Sequence, residues 1–379
     1  NGNLSAKEKG YEVITTEENE IETAILGNLP VAKIGEKEYY TFQEAFDACP
    51  SDGTETTVEV LRNCTTDMAN IIEENKNIVL DIQSYKILSG IENLFTNNGK
   101  FKIVDSIGNG RIISAKGTIL KNEETGNFAI NNITMQMTGS SAIDETIENK
   151  GMLEVTGGVI ISDGLKNKCI NNIEQGTVKI TGGTVSAYTY AIYNTSSNKV
   201  EIEGGTVQAT YYYEGYSAIY NNTENGVVEI KGGLVTNQGK AIENKKGTIK
   251  VTGGEIRTTQ GDTRYSECGI YNNGKVIIED GKVAALYRGS GIQNEGGTIE
   301  ITGGTVSAPE WYNSIINRGT LEISGGTIKS SEKGIYNNST LKMTGGTVNA
   351  STYAIYNTSS SKVEIVGGTV QATYYYEGY

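Results

Sequence analysis

Histidine, the side chain most often used as a general base near neutral pH, is absent from this chain. Its nine aspartates are scattered, and none forms an Asp-Asp or Asp-x-Asp group. They are Asp47, Asp52, Asp67, Asp81, Asp105, Asp144, Asp163, Asp262 and Asp280. The sequence therefore predicts no catalytic residue, no metal site and no cofactor.

A carbohydrate-active enzyme remains the alternative, because two carboxylates at a suitable separation are enough for glycoside hydrolysis. In a protein built from stacked segments, acids that are distant in sequence could still meet. The group considered for this is Asp262, Glu267 and Asp280, together with Arg264 or Arg288.

Tyrosine dominates the aromatic residues, with 23 Tyr against five Phe and one Trp. A buried core favours Phe over Tyr, so many of these tyrosines are expected at the surface. Exposed aromatic rings suit sugar rings and protein partners. The candidate binding residues lie in two Tyr-rich tracts and in one loop after Pro309. They are Tyr211, Tyr212, Tyr213, Tyr216, Trp311, Tyr312, Tyr374, Tyr375 and Tyr376.

The element that must position these residues is a tandem repeat. The segment 182–216 recurs as the segment 345–379, with 31 of 35 positions identical. Gly-Gly pairs divide the interval between the two copies into seven steps of similar but unequal length. The pairs begin at Gly157, Gly182, Gly204, Gly232, Gly253, Gly303, Gly325, Gly345 and Gly367, and Asp280-Gly281 fills the one long gap. A solenoid tolerates a copied block because each repeat contacts only its neighbours.

The segment 319–338 shows how one repeat folds. Alternation of polar and apolar residues predicts three short strands, with the Gly-Gly pair as a tight turn. Ile323, Ile328 and Ile335 are expected to point inward, on counterparts about 4.8 Å away in the next coil. The predicted fold class is all-β, a single-stranded right-handed parallel β-helix with three strands per coil of about 22 residues.

An Ile-x-Asn motif runs in phase with the Gly pairs. It predicts a ladder of stacked amides that satisfies buried turn groups. The ladder residues are Asn149, Asn172, Asn194, Asn221, Asn244, Asn272, Asn294, Asn317, Asn337 and Asn357. Tyrosine precedes several of them and is expected to form an outward stripe, or to serve only as a good β-former on the solvent face. The stripe residues are Tyr193, Tyr220, Tyr271, Tyr336 and Tyr356.

The part of the chain before residue 131 differs from the array. Residues 1–30 are polar and acidic and are interpreted as a leader or spacer. Residues 31–130 are predicted to form a cap and the first irregular coils, before regular coils from 131 to 379. Thr41 to Glu44 match a capping box, and Phe42, Ala45 and Phe46 then fall on one face of a short helix. Such a helix would cover the open end of a solenoid.

The segment VAKIGEKEYYTFQEAFDACPSDGTETTVEVLRN is similar to the N-terminal cap of pectin-lyase-like right-handed β-helix domains in surface proteins of Gram-positive gut bacteria. The resemblance extends from about residue 31 to residue 379. It implies an extracellular or cell-surface location and an adhesin-like role, as a rigid spacer that binds glycans or host or bacterial surface proteins. Many β-helices of the same superfamily are polysaccharide lyases or hydrolases, which keeps the enzymatic alternative open.

Charge and hydropathy limit the partners further. The net charge of −13 argues against nucleic acid and against anionic membrane surfaces. No run approaches the ~18 apolar residues needed to cross a bilayer, so direct membrane insertion is not expected. The uneven spacing of the Gly pairs also disfavours the regular threonine grid of an ice-binding solenoid.

Two further expectations concern the cysteines and the C-terminal end. Cys49 and Cys64 could form a disulfide or remain two buried thiols, and Cys169 is expected to be a buried thiol in a slot that alanine fills in sister coils. The sequence stops inside a repeat, without a signal peptide at its start. The last strands are then expected to expose an edge that permits end-to-end self-contact.

Overall fold

The computed structural model describes residues 11–18, 21–139, 145–165, 167–211, 216–259, 267–358 and 360–373, with side chains from residue 29 onward. These residues form a right-handed parallel β-helix of about 13 coils, preceded by a short helix and antiparallel strands. The fold class predicted from the sequence is confirmed.

Each coil contributes one strand to each of three parallel sheets. The first sheet contains Glu55–Val60, Asn77–Asp81, Lys100–Val104, Asn127–Asn131, Met152–Val155, Thr177–Ile180, Val200–Ile202, Thr298–Ile301, Thr320–Ile323, Thr340–Met343 and Lys362–Ile365. The second contains Cys64–Thr66, Lys86–Ser89, Arg111–Ser114, Thr134–Met137, Val159–Ser162, Thr184–Ala187, Thr206–Ala209, Leu234–Asn237, Thr305–Ala308, Thr327–Ser330, Thr347–Ala350 and Thr369–Ala372. The third contains Asn70–Ile72, Asn93–Asn97, Thr118–Asn122, Glu145–Asn149, Lys168–Asn172, Tyr190–Asn194, Cys268–Asn272, Ser290–Asn294, Asn313–Asn317, Lys333–Asn337 and Tyr353–Asn357.

Three longer strands turn corners between sheets without a break. Ser217–Ile230 runs from the third sheet into the first, Lys240–Thr258 passes through all three sheets, and Lys275–Ala285 joins the first to the second. The coils before residue 131 have the same three-strand order. Parallel stacking begins at Glu55–Val60, which pairs with Asn77–Asp81.

The core is a column of aliphatic side chains inside the solenoid. Ile323, Ile328 and Ile335 are all buried, as expected from the alternation in their strands. Their neighbours in register belong to the preceding and following coils, so each coil depends on the next for its core.

The two residues of each Gly-Gly pair are required for different reasons. Gly326 has φ +72°, which favours glycine. At Gly325 a Cβ would lie 2.1 Å from the Thr302 carbonyl oxygen of the preceding coil. The first glycine therefore permits close stacking of coils, and the second permits the turn.

The predicted asparagine ladder is present and is longer than expected. Every ladder amide donates through Nδ2 to Oδ1 of the next asparagine, at 2.7–2.9 Å. All ten predicted asparagines belong to it. Asn97 and Asn122 extend it towards the N-terminus, because Asn97 Nδ2 donates to Asn122 Oδ1 at 2.8 Å.

The N-terminal end is closed by a cap that matches the expectation. The helix Phe42–Ala48 begins with a capping box between Thr41 and Glu44. Phe42, Ala45 and Phe46 are buried, and the Phe46 ring lies 6.3 Å from Phe95 and 5.9 Å from Phe101, between centroids.

Polar groups tie this cap to the first coils. The buried Lys76 donates through Nζ to the carbonyl oxygens of Asp47 and Cys49, at the C-terminal end of the helix. The Gln43 side chain bonds both the N–H and the C=O of Ile71, as a neighbouring strand would. Ala32–Ile34 pairs antiparallel with Glu55–Val60. The cap thus closes the edges of the third and first sheets.

Preceding the cap, Tyr11–Glu18 and Ile21–Asn28 form an antiparallel pair. Ala32–Ile34 also pairs with Lys37–Tyr39. Within the described residues, no helix is long and apolar enough to cross a membrane.

Candidate functional site

The aromatic candidates that the structure describes, Tyr211, Tyr216, Trp311 and Tyr312, lie at one edge of the solenoid. This edge is the turn between the second and third strands of each coil, here called the second corner. The turn has two residues after Ala187 and Asn237, but seven residues at 210–216 and nine at 259–267. Tyr211 and Tyr216 lie in the longer turns, whereas Tyr212, Tyr213, Tyr374, Tyr375 and Tyr376 lie outside the described residues.

Six tyrosines around this corner pack against one another and are here called the tyrosine cluster. They are Tyr188, Tyr190, Tyr193, Tyr211, Tyr216 and Tyr220. The shortest ring separations between centroids are 4.5 Å, for Tyr188 and Tyr211, and 4.7 Å, for Tyr193 and Tyr220. Tyr188 lies outside the tracts singled out in the sequence, and only its place in the two-residue turn before Tyr190 could have indicated it.

The faces of the stacked rings are already occupied. Tyr193 and Tyr220 are in register on adjacent coils and stack at 13°. The Lys168 ammonium lies 4.2 Å from the Tyr193 ring centroid, on the coil before. Because neighbouring strands are about 4.8 Å apart, outward tyrosines cover each other's faces and present mainly ring edges and hydroxyls. The cluster therefore acts first as packing for its corner.

Burial raises the pKa of Tyr190, with a contribution from the negative charge of Glu243. Tyr190 makes edge-to-face contacts with Tyr193, Tyr216 and Tyr220. The rings therefore form a small packed cluster and do not leave their faces free for a ligand.

A hydrogen-bonded chain holds Lys168 in place. Lys168 Nζ donates to Asn171 Oδ1 at 3.1 Å, and Asn171 Nδ2 donates to Glu145 Oε1 at 2.6 Å. Burial raises the pKa of Glu145.

The outward tyrosine stripe is interrupted. Glu243 occupies the stripe position between Tyr220 and Tyr271, with only 2% of its surface exposed. Its carboxylate is 2.8 Å from Lys245 Nζ and 3.4 Å from Lys240 Nζ. Gln293 and Ile316 then separate Tyr271 from the stacked pair Tyr336 and Tyr356. The stripe is thus reduced to two stacked pairs and an isolated Tyr271.

One pair of tyrosines has a similar geometry in both copies of the repeated segment. Tyr190 and Tyr193 meet at 75° and 5.3 Å, and their counterparts Tyr353 and Tyr356 meet at 75° and 5.9 Å. Seven coils separate the two copies.

Two aromatic side chains at the second corner do present open faces. Trp311 is 77% exposed and Tyr287 is 71% exposed, the largest values among the large hydrophobic residues that the structure describes. Trp311 was a candidate from the sequence, whereas Tyr287 was missed. Its position two residues after the small pair Ala284-Ala285, at the end of a second strand, is the signal that could have found it. Tyr312 is half-buried beside Trp311.

The two described acids of the group considered for catalysis, Glu267 and Asp280, lie at different corners of the solenoid. Glu267 lies in the second corner and Asp280 lies in the turn between the first and second strands, while Asp262 and Arg264 fall outside the described residues. Arg288 lies in the second corner, one coil after Glu267. Among the described residues there is no group of three or more His, Cys, Asp or Glu suited to a metal ion.

One pair of carboxylates does face a common groove. Glu300 and Glu322 are in register on adjacent coils of the first sheet and line an open groove of ≈ 220 Å³. Lys275 Nζ is 2.7 Å from Glu300 Oε1, and Lys342 follows Glu322 in the same column. Such a mixture of acidic and basic side chains is typical of a solvated sheet face.

Ion pairs cover the same sheet nearer its middle. Hydrogen bonds from Lys199 and Lys231 lower the pKa of Glu201 to about 2. Lys199 Nζ is 2.8 Å from Glu201 Oε1, and Lys231 contacts both Glu201 and Glu203.

The four cysteines are free thiols. The Cys49–Cys64 bridge that the sequence left open does not form, although Cys64 is only half-buried. Burial raises the pKa of Cys64 and of Cys268, to about 12 for each. Cys169 is buried in the slot that Ala191 and Ala218 fill in the following coils. Thiol chemistry is therefore disfavoured at these positions.

No family model, no curated protein and no solved structure matches the chain.

Proposed function

We propose that this protein is a non-catalytic spacer or adhesin segment of a bacterial surface protein. The observation that carries the proposal is the contrast between a body of repeated, internally bonded coils and a second corner whose turns vary in length and carry aromatic residues. A scaffold of this kind places variable loops on a rigid support. Glycans, or proteins of host or bacterial surfaces, are the partners proposed for that corner.

Rigidity is supported by the stacking itself. The amide ladder runs through twelve asparagines, from Asn97 to Asn357. Fourteen first-sheet strands at the usual strand spacing give a rod of roughly 65 Å. Because every coil bonds to both neighbours along three sheets, bending at any one coil would break several hydrogen bonds at once.

The resemblance of residues 31–63 to β-helix caps of Gram-positive surface proteins supports the proposal of an extracellular location. The acidic composition fits a solvated outer surface and disfavours nucleic acid.

A deletion tests the spacer. Removal of residues 182–344 takes out one copied block of seven coils and joins Thr181 to Gly345, which restores the local sequence of a natural junction. We expect a folded protein shorter by roughly 34 Å in small-angle X-ray scattering, from seven strand spacings. An unfolded product, or one of unchanged length, would contradict the rod.

The alternative is a carbohydrate-active enzyme, favoured by the pair Glu300 and Glu322. Retaining glycosidases hold their two carboxyl groups roughly 5–5.5 Å apart, close to one strand spacing. Incubation with pectin, alginate and xylan decides between the two functions. We expect no new reducing or unsaturated ends. Cleavage that disappears in Glu322→Gln would replace the spacer proposal with the enzyme.

A further inference from the structure

Trp311 and Tyr287 occupy equivalent turns of neighbouring coils. Residues 286–289 and 309–312 are both four-residue second corners, between strands that pair in register. Their Cα traces are therefore about one strand spacing, ~4.8 Å, apart along the solenoid axis. In this register Tyr287 is opposite Glu310 and Arg288 is opposite Trp311, so the two most exposed aromatic side chains of the described structure lie on adjacent turns of one ridge, offset by one residue.

The backbone at Trp311 is strained. Its φ is +71°, a left-handed conformation that bulky side chains rarely adopt. Glycine would fit there without this cost, and the neighbouring turn uses glycine for its own left-handed residue, Gly289, which has φ +92°. Strain of this kind at an exposed residue points to a function that depends on the side chain.

The turn is nevertheless held firmly. Tyr312 N–H donates to the Pro309 carbonyl at 3.4 Å, and Ser330 Oγ donates to the Tyr312 carbonyl at 3.2 Å. Trp311 is thus presented by a fixed turn, so little conformational freedom is lost when a ligand binds its ring.

We propose that Trp311 and Tyr287 form a platform on which a neutral, linear polysaccharide stacks along the solenoid axis. This inference rests on the proposed adhesive function and assigns its site. Sugar rings present C–H faces that pack on aromatic rings. Because Tyr287 and Trp311 lie on adjacent turns but are not in register, the two exposed rings can contact different sugar units of one chain that runs along the solenoid axis. Exposed Arg288 and Glu310 flank the rings with opposite charges, so the ridge has hydrogen-bonding groups and no net charge to attract an acidic polymer.

The size of the ridge favours a sugar chain over a protein. A stable protein interface buries about 800 Å² on each partner around an apolar centre. Two four-residue turns between polar sheet faces provide much less apolar surface than that. A single polysaccharide chain needs only the rings and a few polar groups beside them.

Trp311 is the only tryptophan of the chain, so its fluorescence reports on this position alone. The full chain is titrated with xylan, β-mannan and amylose and with the corresponding disaccharides. We expect a blue shift and protection from acrylamide quenching with at least one polymer, and a weaker effect with its disaccharide. An emission spectrum that no polysaccharide changes would overturn the platform.

Variants separate the site from the general function. Tyr287→Ala keeps the reporter and should weaken the polymer-induced shift by about tenfold in affinity. Trp311→Gly should remove polysaccharide retention on an affinity gel while leaving the protein at least as thermally stable, because glycine relieves the strained φ. Tyr40→Ala, at an exposed tyrosine of the N-terminal cap, is the matched control and should change neither readout.

The outcomes distinguish the two claims. Retention on a polysaccharide gel that survives Trp311→Gly and Tyr287→Ala would leave the adhesin standing and refute this site. Cleavage of the polysaccharide would refute the non-catalytic function itself. A protein partner that shifts the Trp311 emission, with every polysaccharide silent, would refute the ligand class.

Discussion

The first and last coils that the structure describes have the same three-strand order, but they differ in how well their core side chains are covered. At the N-terminal end, Phe46 is 1% exposed beneath the cap helix. At the other end, Ile365 and Val370 are 49% and 41% exposed, although Ile202 and Val207, their counterparts in the first copy, are fully buried. Among the described residues nothing stacks on the last coil. The difference teaches that a coil has no core of its own and obtains one only from the next layer.

The largest effect is expected at the cap. Phe46→Asp buries an unpaired charge among Phe95 and Phe101, and should cost several kcal/mol of stability in the first coils. Hydrogen exchange of the first coils and the thermal midpoint would measure this loss.

Ile365→Asp supplies the matched control at the open end. The same type of change at a half-exposed site should lower the thermal midpoint little, since its charge remains in water. Equal losses in the two variants would contradict the comparison.

The asparagine ladder allows the same comparison of a buried and an exposed position, with a smaller expected loss of stability. Asn244 is buried in mid-ladder, where it accepts from Asn221 and donates to Asn272, both within 2.9 Å. Asn244→Ala should destabilise by about 1–3 kcal/mol, because its partners lose hydrogen bonds in a buried place. Asn357→Ala, at the exposed last rung, should cost much less in denaturant unfolding, and a reversed order would be inconsistent with the ladder.

Self-association should distinguish the ends in solution. The strand Thr369–Ala372 pairs only with Thr347–Ala350 among the described strands, and all four of its residues are exposed. An exposed strand of this kind can pair with another chain. We expect the chain to associate end to end as its concentration rises, and Val370→Lys to weaken this association by about tenfold or more in sedimentation analysis. Association that the variant leaves unchanged would place the contact elsewhere.

The smallest effect on stability is expected from the ion pairs on the first sheet, in the middle of the solenoid. The pKa of Glu201 is lowered from its ordinary 4.5 to about 2 by Lys199 and Lys231. Its contribution is therefore complete above about pH 4.5 and is lost as the pH falls towards 2. Because both lysines are largely exposed, Glu201→Gln should cost no more than about 1 kcal/mol at neutral pH, and the variant should lose part of the acid dependence of unfolding.

Sequence reasoning found the coils because their constraints are local. Gly325-Gly326 fits a turn that only glycine permits, and each Ile-x-Asn places a buried amide at one corner. Those features recur from coil to coil, so the repeat reveals them although the spacing varies. The cap was found for a similar reason, since Thr41 and Glu44 cap a helix through contacts between near neighbours in sequence.

The candidate site was harder to predict because exposure depends on the neighbouring coils. In the sequence, nothing distinguishes Tyr193 and Tyr220 from exposed tyrosines. In the structure, the two rings stack on each other, and Lys168 lies over the Tyr193 ring. Tyr287 has no tract around it, and its openness follows from the length of the turn. The buried Glu243 likewise breaks a stripe that the motif alone would continue.

The positions of the phenylalanines, in the cap and first coils, favour folding that starts at the N-terminal coils and proceeds towards the later ones. All five, Phe42, Phe46, Phe95, Phe101 and Phe128, lie in the N-terminal part of the chain, and the ring centroids of Phe46, Phe101 and Phe128 follow one another at 5.9 and 5.7 Å. A ribosome releases this part first, at about 5–20 residues per second. The nascent chain can therefore pack these phenylalanines early. Each later coil then needs only to pair with the coil before it, which has already folded.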